Sequence, residues 1–309
     1  FLFFNIKRDY IMSNNDFFTF ERKVSSFLST RGIENSVDSD KVVRNFHESF
    51  MGTLFYNSSK YNIPYEKTLE DMANPKNLID NKILHTTFRK TFEELISPVL
   101  MENPVFKKLL KSSLQHSSRA VGVGELMLPL CINDYRYSNT SDGIWGTGYM
   151  SEVKNGGPSG ASLKTNGDAS MRHGDDINKK YFNGKAFGYK NSKKFNEHLY
   201  EVGDKPDIYF DYFKEFYPNI DTRSLAKKVR DNYKNKKELE MIMGEFAIST
   251  YKFIDKFYNL IIISPEKSTI VNICDTTDVR SLGLKFTPKM IRGGDTNALA
   301  DGYVNVKIG

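Results

Sequence analysis

A continuous apolar run near residue 260 constrains the fold of this chain more than any other feature. The run is LIIIS at residues 260–264, and residues 269–275 (TIVNICD) add a second stretch rich in β-branched side chains. Strands that are apolar on both faces are typical of the centre of a sheet that is covered on both sides. A long pattern of helical spacing, residues 236–258, comes directly before the first run. The order of these patterns predicts a mixed α/β fold.

The length and composition are those of a folded protein with a substantial core. The chain has 309 residues, of which 39% are hydrophobic, so general disorder is excluded. No stretch of about 18 apolar residues occurs, which predicts no transmembrane helix and no membrane partner. The two cysteines, Cys131 and Cys274, cannot form a Cys-x-x-Cys metal site. Their scarcity indicates a reducing compartment and predicts a cytoplasmic protein.

Changes in residue pattern and composition along the chain predict its domain organisation. Residues 1–11 are interpreted as an upstream leader or a tag remnant, because Met12 opens a stretch that reads like a natural start. Apolar residues at spacings of three and four predict a helical N-terminal region over residues 12–116. Residues 117–309 are predicted to form an α/β core, with an insertion of helices and loop at about 165–235.

The helical region contains recognisable helix starts. Asp40 and Asn103 are predicted N-caps, because short polar side chains there can accept hydrogen bonds from the first free backbone N–H groups. Pro104 suits the first position of a helix. Residues 86–100 (TTFRKTFEELISPVL) also have helical spacing, so a helix is expected there as well.

The predicted core begins with a short helix and a β-meander. Ser118 is the expected cap of an apolar helix that carries Glu125. The C-terminal residues 301–308 (DGYVNVKI) alternate between apolar and polar side chains and are expected to form an edge strand. Between these parts, a turn-rich loop is predicted at residues 133–143, and strands are predicted at residues 143–147, 149–154 and 160–164.

Three charged residues in the predicted meander form a candidate site. Side chains alternate along a strand, so Glu152 and Lys154 point to one face and Val153 to the other. Asp142, at the start of the preceding strand, is expected to approach Glu152 across the hairpin. Converging carboxylates suit Mg²⁺ or Mn²⁺, which bind through one or two carboxylates, waters and phosphate oxygens. A lysine beside such an ion can orient the attacking water and stabilise developing charge.

The same residues resemble the PD-(D/E)XK nuclease superfamily, whose fold is restriction-endonuclease-like. The pattern is an acid, here Asp142, then a hairpin, then acid-x-lysine on the next strand, here Glu152-Val153-Lys154. The resemblance implies a core of helix, β-meander, helix and strand. It implies that Asp142, Glu152 and Val153 hold Mg²⁺ or Mn²⁺, that Lys154 is the catalytic lysine, and that Glu125 is an auxiliary acid. The surrounding glycines resemble those of phage-encoded members.

The pattern competes with simpler interpretations. Ser141 stands where many members of the superfamily have proline. Other acid-x-lysine triplets, at residues 21–23 and 80–82, have neither a predicted strand nor a partner acid. A solvated hairpin face with a cross-strand salt bridge remains the alternative at residues 142–154.

Basic and glycine-rich segments indicate a polyanionic partner. The net charge is +6 and the pI is about 9.0, values that proteins without such a partner also have. Glycines after the strand can allow close approach of a sugar–phosphate chain, or they can form a hairpin turn. The basic stretch at 227–237 can contact phosphates or be a solvated helix end. The predicted nucleic-acid-binding residues are Gly156, Gly157, Lys164, Lys227 and Lys228.

The hypothesis that follows is a divalent-metal-dependent endodeoxyribonuclease that hydrolyses phosphodiester bonds in DNA. If the chain is phage-encoded, its location is the host cytoplasm or the virion. One alternative is a structural protein with the same fold, which would assemble with further copies of itself or with virion components. A second alternative is a nucleic-acid-binding module that does not cut.

Overall fold

The structure is a computed structural model, and it describes ten segments of the chain. These segments are residues 14–35, 40–116, 121–122, 124–138, 141–158, 160–164, 221–232, 235–254, 257–291 and 301–309. Ser118, the expected leader at residues 1–11 and residues 165–220 of the expected insertion lie outside the described residues.

Helices predominate in the first part of the described chain, and most of the strands follow them. The helices are α1 (Asn14–Thr30), α2 (Lys41–Tyr61), α3 (Tyr65–Ala73), α4 (Phe92–Leu95), α5 (Pro98–Glu102), α6 (Pro104–Ser113), α7 (Leu128–Cys131), α8 (Thr222–Asn232) and α9 (Lys236–Ile254). The strands are β1 (Phe88–Thr91), β2 (Tyr135–Arg136), β3 (Gly143–Trp145), β4 (Tyr149–Asn155), β5 (Ala161–Lys164), β6 (Asn259–Ser264), β7 (Thr269–Ile273), β8 (Leu284–Ile291) and β9 (Asp301–Ile308). The mixed α/β fold expected from the sequence is confirmed.

The chain divides into two compact units. The first comprises the described parts of Phe1–Asn155 and Ile261–Asn272, so the N-terminal helices and the candidate site belong to one unit. The second comprises the described parts of Gly156–Leu260 and Ile273–Gly309.

The N-terminal helices begin where the sequence predicts. Asp40 accepts a 2.7 Å hydrogen bond from the backbone N–H of Val42. Asn103 accepts two, from Val105 and Phe106, and Pro104 occupies the first position of α6. Both predicted caps are therefore confirmed, and they satisfy donors that a helix start leaves unpaired.

A six-stranded sheet organises the first unit. Within the described residues its strand order is β1-β7-β6-β4-β3-β2. All six residues of β6 are buried, and the strand has neighbours on both sides. The expected central strand is confirmed, because only a covered central strand buries every side chain of such a run.

The meander differs from the expected one in its first and third strands. Tyr135–Arg136, expected to be loop, forms β2 and pairs antiparallel with β3. Residues 161–164, expected to complete the meander, form β5 in a different sheet. The meander is therefore β2-β3-β4. Two residues are too few to show an alternating pattern, which is why β2 is not visible in the sequence.

A further strand interrupts the helix expected at residues 86–100. Phe88–Thr91 forms β1, which pairs antiparallel with β7 at the edge of the sheet. Thr91 then caps the short helix α4 in a capping box with Glu94. Tertiary pairing with β7 overrides the local helical spacing there.

The second unit contains a three-stranded antiparallel sheet in the order β5-β9-β8. The prediction of an edge strand at residues 301–308 is wrong, since β9 lies in the middle. Pairing with β5 on one side and β8 on the other explains why Val304, Val306 and Asn305 are all buried. Helix α9 packs on this sheet, where a Cβ at Gly244 would collide with the ring of Phe286.

No helix in the described segments is both long and apolar enough to cross a membrane.

Candidate functional site

Strand register brings Asp142 beside the centre of β4. Gly143 pairs with Ser151, so the chain just before β3 lies next to residues 152 and 153. Asp142 Oδ2 accepts a 2.7 Å hydrogen bond from the backbone N–H of Val153. This bond joins the residue just before β3 to the backbone of β4, and it fixes the direction of the carboxylate.

The Lys154 ammonium lies among three oxygen atoms of this segment. It forms an ion pair and hydrogen bond with Glu152 Oε1. It also donates to the backbone carbonyl of Val153 at 3.3 Å and lies 3.9 Å from Asp142 Oδ2. The side chains of Lys154, Asp142 and Glu152 are 24%, 20% and 13% exposed, so the cluster is partly shielded but reachable from solvent.

Glu125 approaches the cluster from a turn. The expectation that it lies on a helix is wrong, because residues 124–127 form a turn and α7 begins at Leu128. A glycine-containing turn places the carboxylate over its own backbone, where Oε1 accepts a 2.5 Å hydrogen bond from Gly122 N–H. A Cβ at Gly122 would lie 2.6 Å from that oxygen. Glycine therefore leaves room for this contact.

The surroundings of the Glu125 carboxyl group favour its protonated, neutral form. The residue is 5% exposed. Burial, followed by the negative charge of Asp142, raises its pKa to about 8. The hydrogen bond from Gly122 and the charge of Lys154 act in the opposite direction, while Glu152 adds to the rise. At neutral pH this group is therefore mainly a protonated acid.

The inward face of the hairpin holds the site in place. Val153 and Trp145 are 2% exposed, and Trp145 Nε1 donates a 2.9 Å hydrogen bond to Ser151 Oγ. The buried ring of Tyr135 lies directly against Gly143, where a Cβ would collide with it. Sequence reasoning did not identify the supporting roles of Tyr135 and Ser151. The alternation in YMSEVK does place Ser151 and Val153 inward, but the partner of Ser151 depends on the hairpin register.

The donor set fits a hard divalent cation. Two carboxylates and one carbonyl oxygen, from Asp142, Glu152 and Val153, already surround a positive charge, that of Lys154. Mg²⁺ needs only one or two protein carboxylates when waters and phosphate complete its shell. In the described part of the chain, no group of three or more His, Cys, Asp or Glu side chains is arranged to hold a metal ion. Any ion at this site therefore depends on two carboxylates rather than on a full protein cage.

The predicted nucleic-acid-binding residues lie in the second unit. Gly156 and Gly157 are buried, and their carbonyls accept hydrogen bonds from Ile308 and Gly160. Lys164 ends β5, and its side chain is outside the described residues. Lys227 and Lys228 are exposed on α8. Contact of any of these residues with nucleic acid stays a prediction.

Comparisons with protein-family models, with curated proteins and with solved structures found no match to this chain.

Proposed function

We propose that this protein is a divalent-metal-dependent nuclease that hydrolyses phosphodiester bonds in DNA. The observation that carries the proposal is the convergence of Asp142, Glu152 and the Val153 carbonyl on one positive charge at the end of the β3–β4 hairpin. These oxygens are the ligand types that Mg²⁺ and Mn²⁺ prefer.

The residues of the cluster have separate roles in this proposal. Asp142 and Glu152 bind the metal ion, and the N–H of Val153 keeps the Asp142 carboxylate in its binding direction. Lys154 orients the attacking water and stabilises the negative charge that develops on the phosphate. Glu125, largely protonated, supplies a proton-bearing group next to Asp142. When bound, the metal lowers the pKa of a water molecule and polarises the phosphate.

The order of elements supports a restriction-endonuclease-like core. Along the chain, the short helix α7 precedes the meander β2-β3-β4, and helix α9 precedes strand β6. Strand β6 lies next to β4, the strand that carries Glu152 and Lys154. This is the succession of helix, meander, helix and strand that the resemblance implies.

DNA is proposed as the substrate because the chain is basic overall and the site is reachable from solvent. A net positive charge lowers the repulsion that a phosphate backbone meets when it approaches the carboxylates of Asp142 and Glu152. Parallel assays with duplex DNA, single-stranded DNA and RNA identify the preferred substrate.

A structural or assembly role is the second candidate. The ion pair between Lys154 and Glu152 favours it, because a carboxylate and an ammonium that satisfy each other also stabilise a strand without any catalysis. This role predicts self-association, or assembly into a larger particle, and no cleavage with either metal ion.

The variants Asp142→Ala and Lys154→Ala distinguish these roles. Cleavage of supercoiled plasmid is measured with Mg²⁺ or Mn²⁺, and binding of a labelled duplex is measured separately in EDTA. Glu93→Gln and Lys107→Met are matched controls, since both residues are exposed in the same unit. The proposal predicts that both site variants stay folded, bind DNA and lose cleavage. Cleavage near the wild-type rate in both would contradict it.

A further inference from the structure

The Lys154 ammonium occupies the space that a divalent ion at this site would need. Its Nζ atom contacts Glu152 Oε1 and Val153 O and lies 3.9 Å from Asp142 Oδ2. The same three oxygens form the proposed metal-binding set. The lysine therefore satisfies the ligands with a positive charge from the chain itself.

The two cations cannot share these oxygens at close range. A divalent ion binds carboxylate oxygens at about 2.0 to 2.2 Å and fixes the direction of their lone pairs. An ammonium at hydrogen-bonding distance from the same oxygens would then be held near a double positive charge. Repulsion between like charges at this separation is strong in a site that is partly shielded from water.

The lysine has a route out of the cluster. Its side chain is 24% exposed, so solvent already reaches the ammonium. Lysine also has a flexible four-carbon stem, so its ammonium can move by several ångströms through rotamer changes alone. The backbone of β4 can remain paired while this happens.

We propose that Lys154 and the divalent metal ion compete for the oxygens of Asp142, Glu152 and Val153. Metal binding then displaces the lysine into the position from which it acts in catalysis. This inference rests on the proposed metal site and adds an order of events to it. Until it is displaced, Lys154 offsets part of the negative charge of the two neighbouring carboxylates. After displacement, its ammonium is released close to the site, where it can reach the attacking water or the phosphate.

Competition lowers the apparent metal affinity of the wild type. When a site is open for only a fraction of the time, its apparent affinity is the intrinsic affinity multiplied by that open fraction. Removal of the ammonium should therefore strengthen metal binding, although the same residue is needed for cleavage. A lysine that only assisted catalysis from a distance would show a much smaller effect.

The test is a calorimetric titration of Mn²⁺, without DNA, into the wild type and into Lys154→Met. Methionine keeps a long unbranched side chain and removes the charge, while Lys107→Met removes a charge from an exposed position of the same unit. We expect Lys154→Met to bind Mn²⁺ at least about tenfold more tightly than the wild type. Lys107→Met should bind it with the wild-type affinity.

A second measurement follows the wild-type lysine itself, so the result does not depend on the fold of a variant. The NMR signal of the Lys154 ammonium is recorded during addition of Mg²⁺. Displacement predicts that its hydrogen bond to Glu152 is lost as the metal site fills. Retention of that bond at saturation would overturn the proposal.

The calorimetric outcomes distinguish a failure of the competition from a failure of the proposed metal site. Equal or weaker Mn²⁺ binding by a folded Lys154→Met, with clear binding by the wild type, overturns competition and leaves the metal site intact. An absence of Mn²⁺ binding in both proteins overturns the metal site and, with it, the inference.

Discussion

Asp142 Oδ2 accepts its 2.7 Å hydrogen bond from the N–H of Val153, the residue between Glu152 and Lys154. The acid is thus fixed to the backbone of the strand that carries the other two charged groups. Asp142 lies just before β3 begins, so strand pairing alone does not position its carboxylate. The single hydrogen bond to Val153 therefore sets the geometry of the cluster.

The first prediction separates this geometric role from the charge of Asp142. Asp142→Asn retains a carbonyl oxygen that can accept from Val153, so its free energy of unfolding should stay near that of the wild type. Asp142→Ala leaves that N–H without its partner and should lose about 1 to 2 kcal/mol. Urea unfolding of both variants measures the difference. Equal stability of the two would show that the bond does not hold the hairpin.

The second prediction concerns pH and Glu125. The folded state raises the pKa of this carboxyl from 4.5 to about 8, so it binds the proton more tightly than the unfolded chain does. Its contribution to stability is therefore complete at low pH and is lost as the pH rises through this window. Glu125→Gln, which stays neutral, should have a smaller loss of stability across the window, measured by urea unfolding in EDTA.

Glu93→Gln provides the control for this pH experiment, because Glu93 is exposed in the same unit. It should keep the wild-type dependence on pH. If Glu125→Gln also kept the wild-type dependence, the Glu125 carboxyl would not be the group that titrates.

The third prediction concerns the hydrogen bonds that join β7 to the segment before the edge strand β1. Asn272, fully buried on β7, donates hydrogen bonds to the carbonyls of Leu84 at 3.1 Å and Thr86 at 2.6 Å. Asn272→Ala removes both hydrogen bonds from a fully buried side chain and should destabilise the protein by about 1 to 3 kcal/mol. Asn15→Ala, at an exposed position of α1, should change stability by no more than about 0.5 kcal/mol. A neutral Asn272→Ala in thermal unfolding would contradict the role of these bonds.

The fourth prediction concerns the hairpin that carries the site. A Cβ at Gly143 would collide with the buried Tyr135 ring, so Gly143→Ala should destabilise the protein by about 2 to 3 kcal/mol. Thr147→Ala changes an exposed residue of the same hairpin and serves as the control. Chemical denaturation of the two variants compares them. Wild-type stability of Gly143→Ala would show that the ring and the strand can separate without cost.

Features that depend on local pattern could be predicted from the sequence. The apolar run at 260–264 identified the central strand β6, because a strand covered on both faces needs no polar side. The alternation in YMSEVK identified β4 and placed Glu152 and Lys154 on one face. The turn between β3 and β4 then brought Asp142 into the same cluster.

Features that depend on partners distant in sequence, or on a local contact hidden by stronger patterns, could not be predicted. Strand β9 is central only because β5 and β8 pair with it from both sides, and its alternating sequence also suits an edge. Strand β1 forms against β7, which is more than 170 residues away along the chain. Glu125 lies in a turn because its side chain bonds to Gly122, a local preference that the apolar residues after it obscure.

The most direct test of the central claim is cleavage of supercoiled plasmid by the wild type and by Glu152→Gln. Each protein is assayed with Mg²⁺, with Mn²⁺ and with EDTA, and Glu93→Gln serves as the control. We expect metal-dependent cleavage by the wild type and by Glu93→Gln. We expect no cleavage by Glu152→Gln. Absence of cleavage by folded wild-type protein with either metal ion, or equal cleavage by Glu152→Gln, would contradict it.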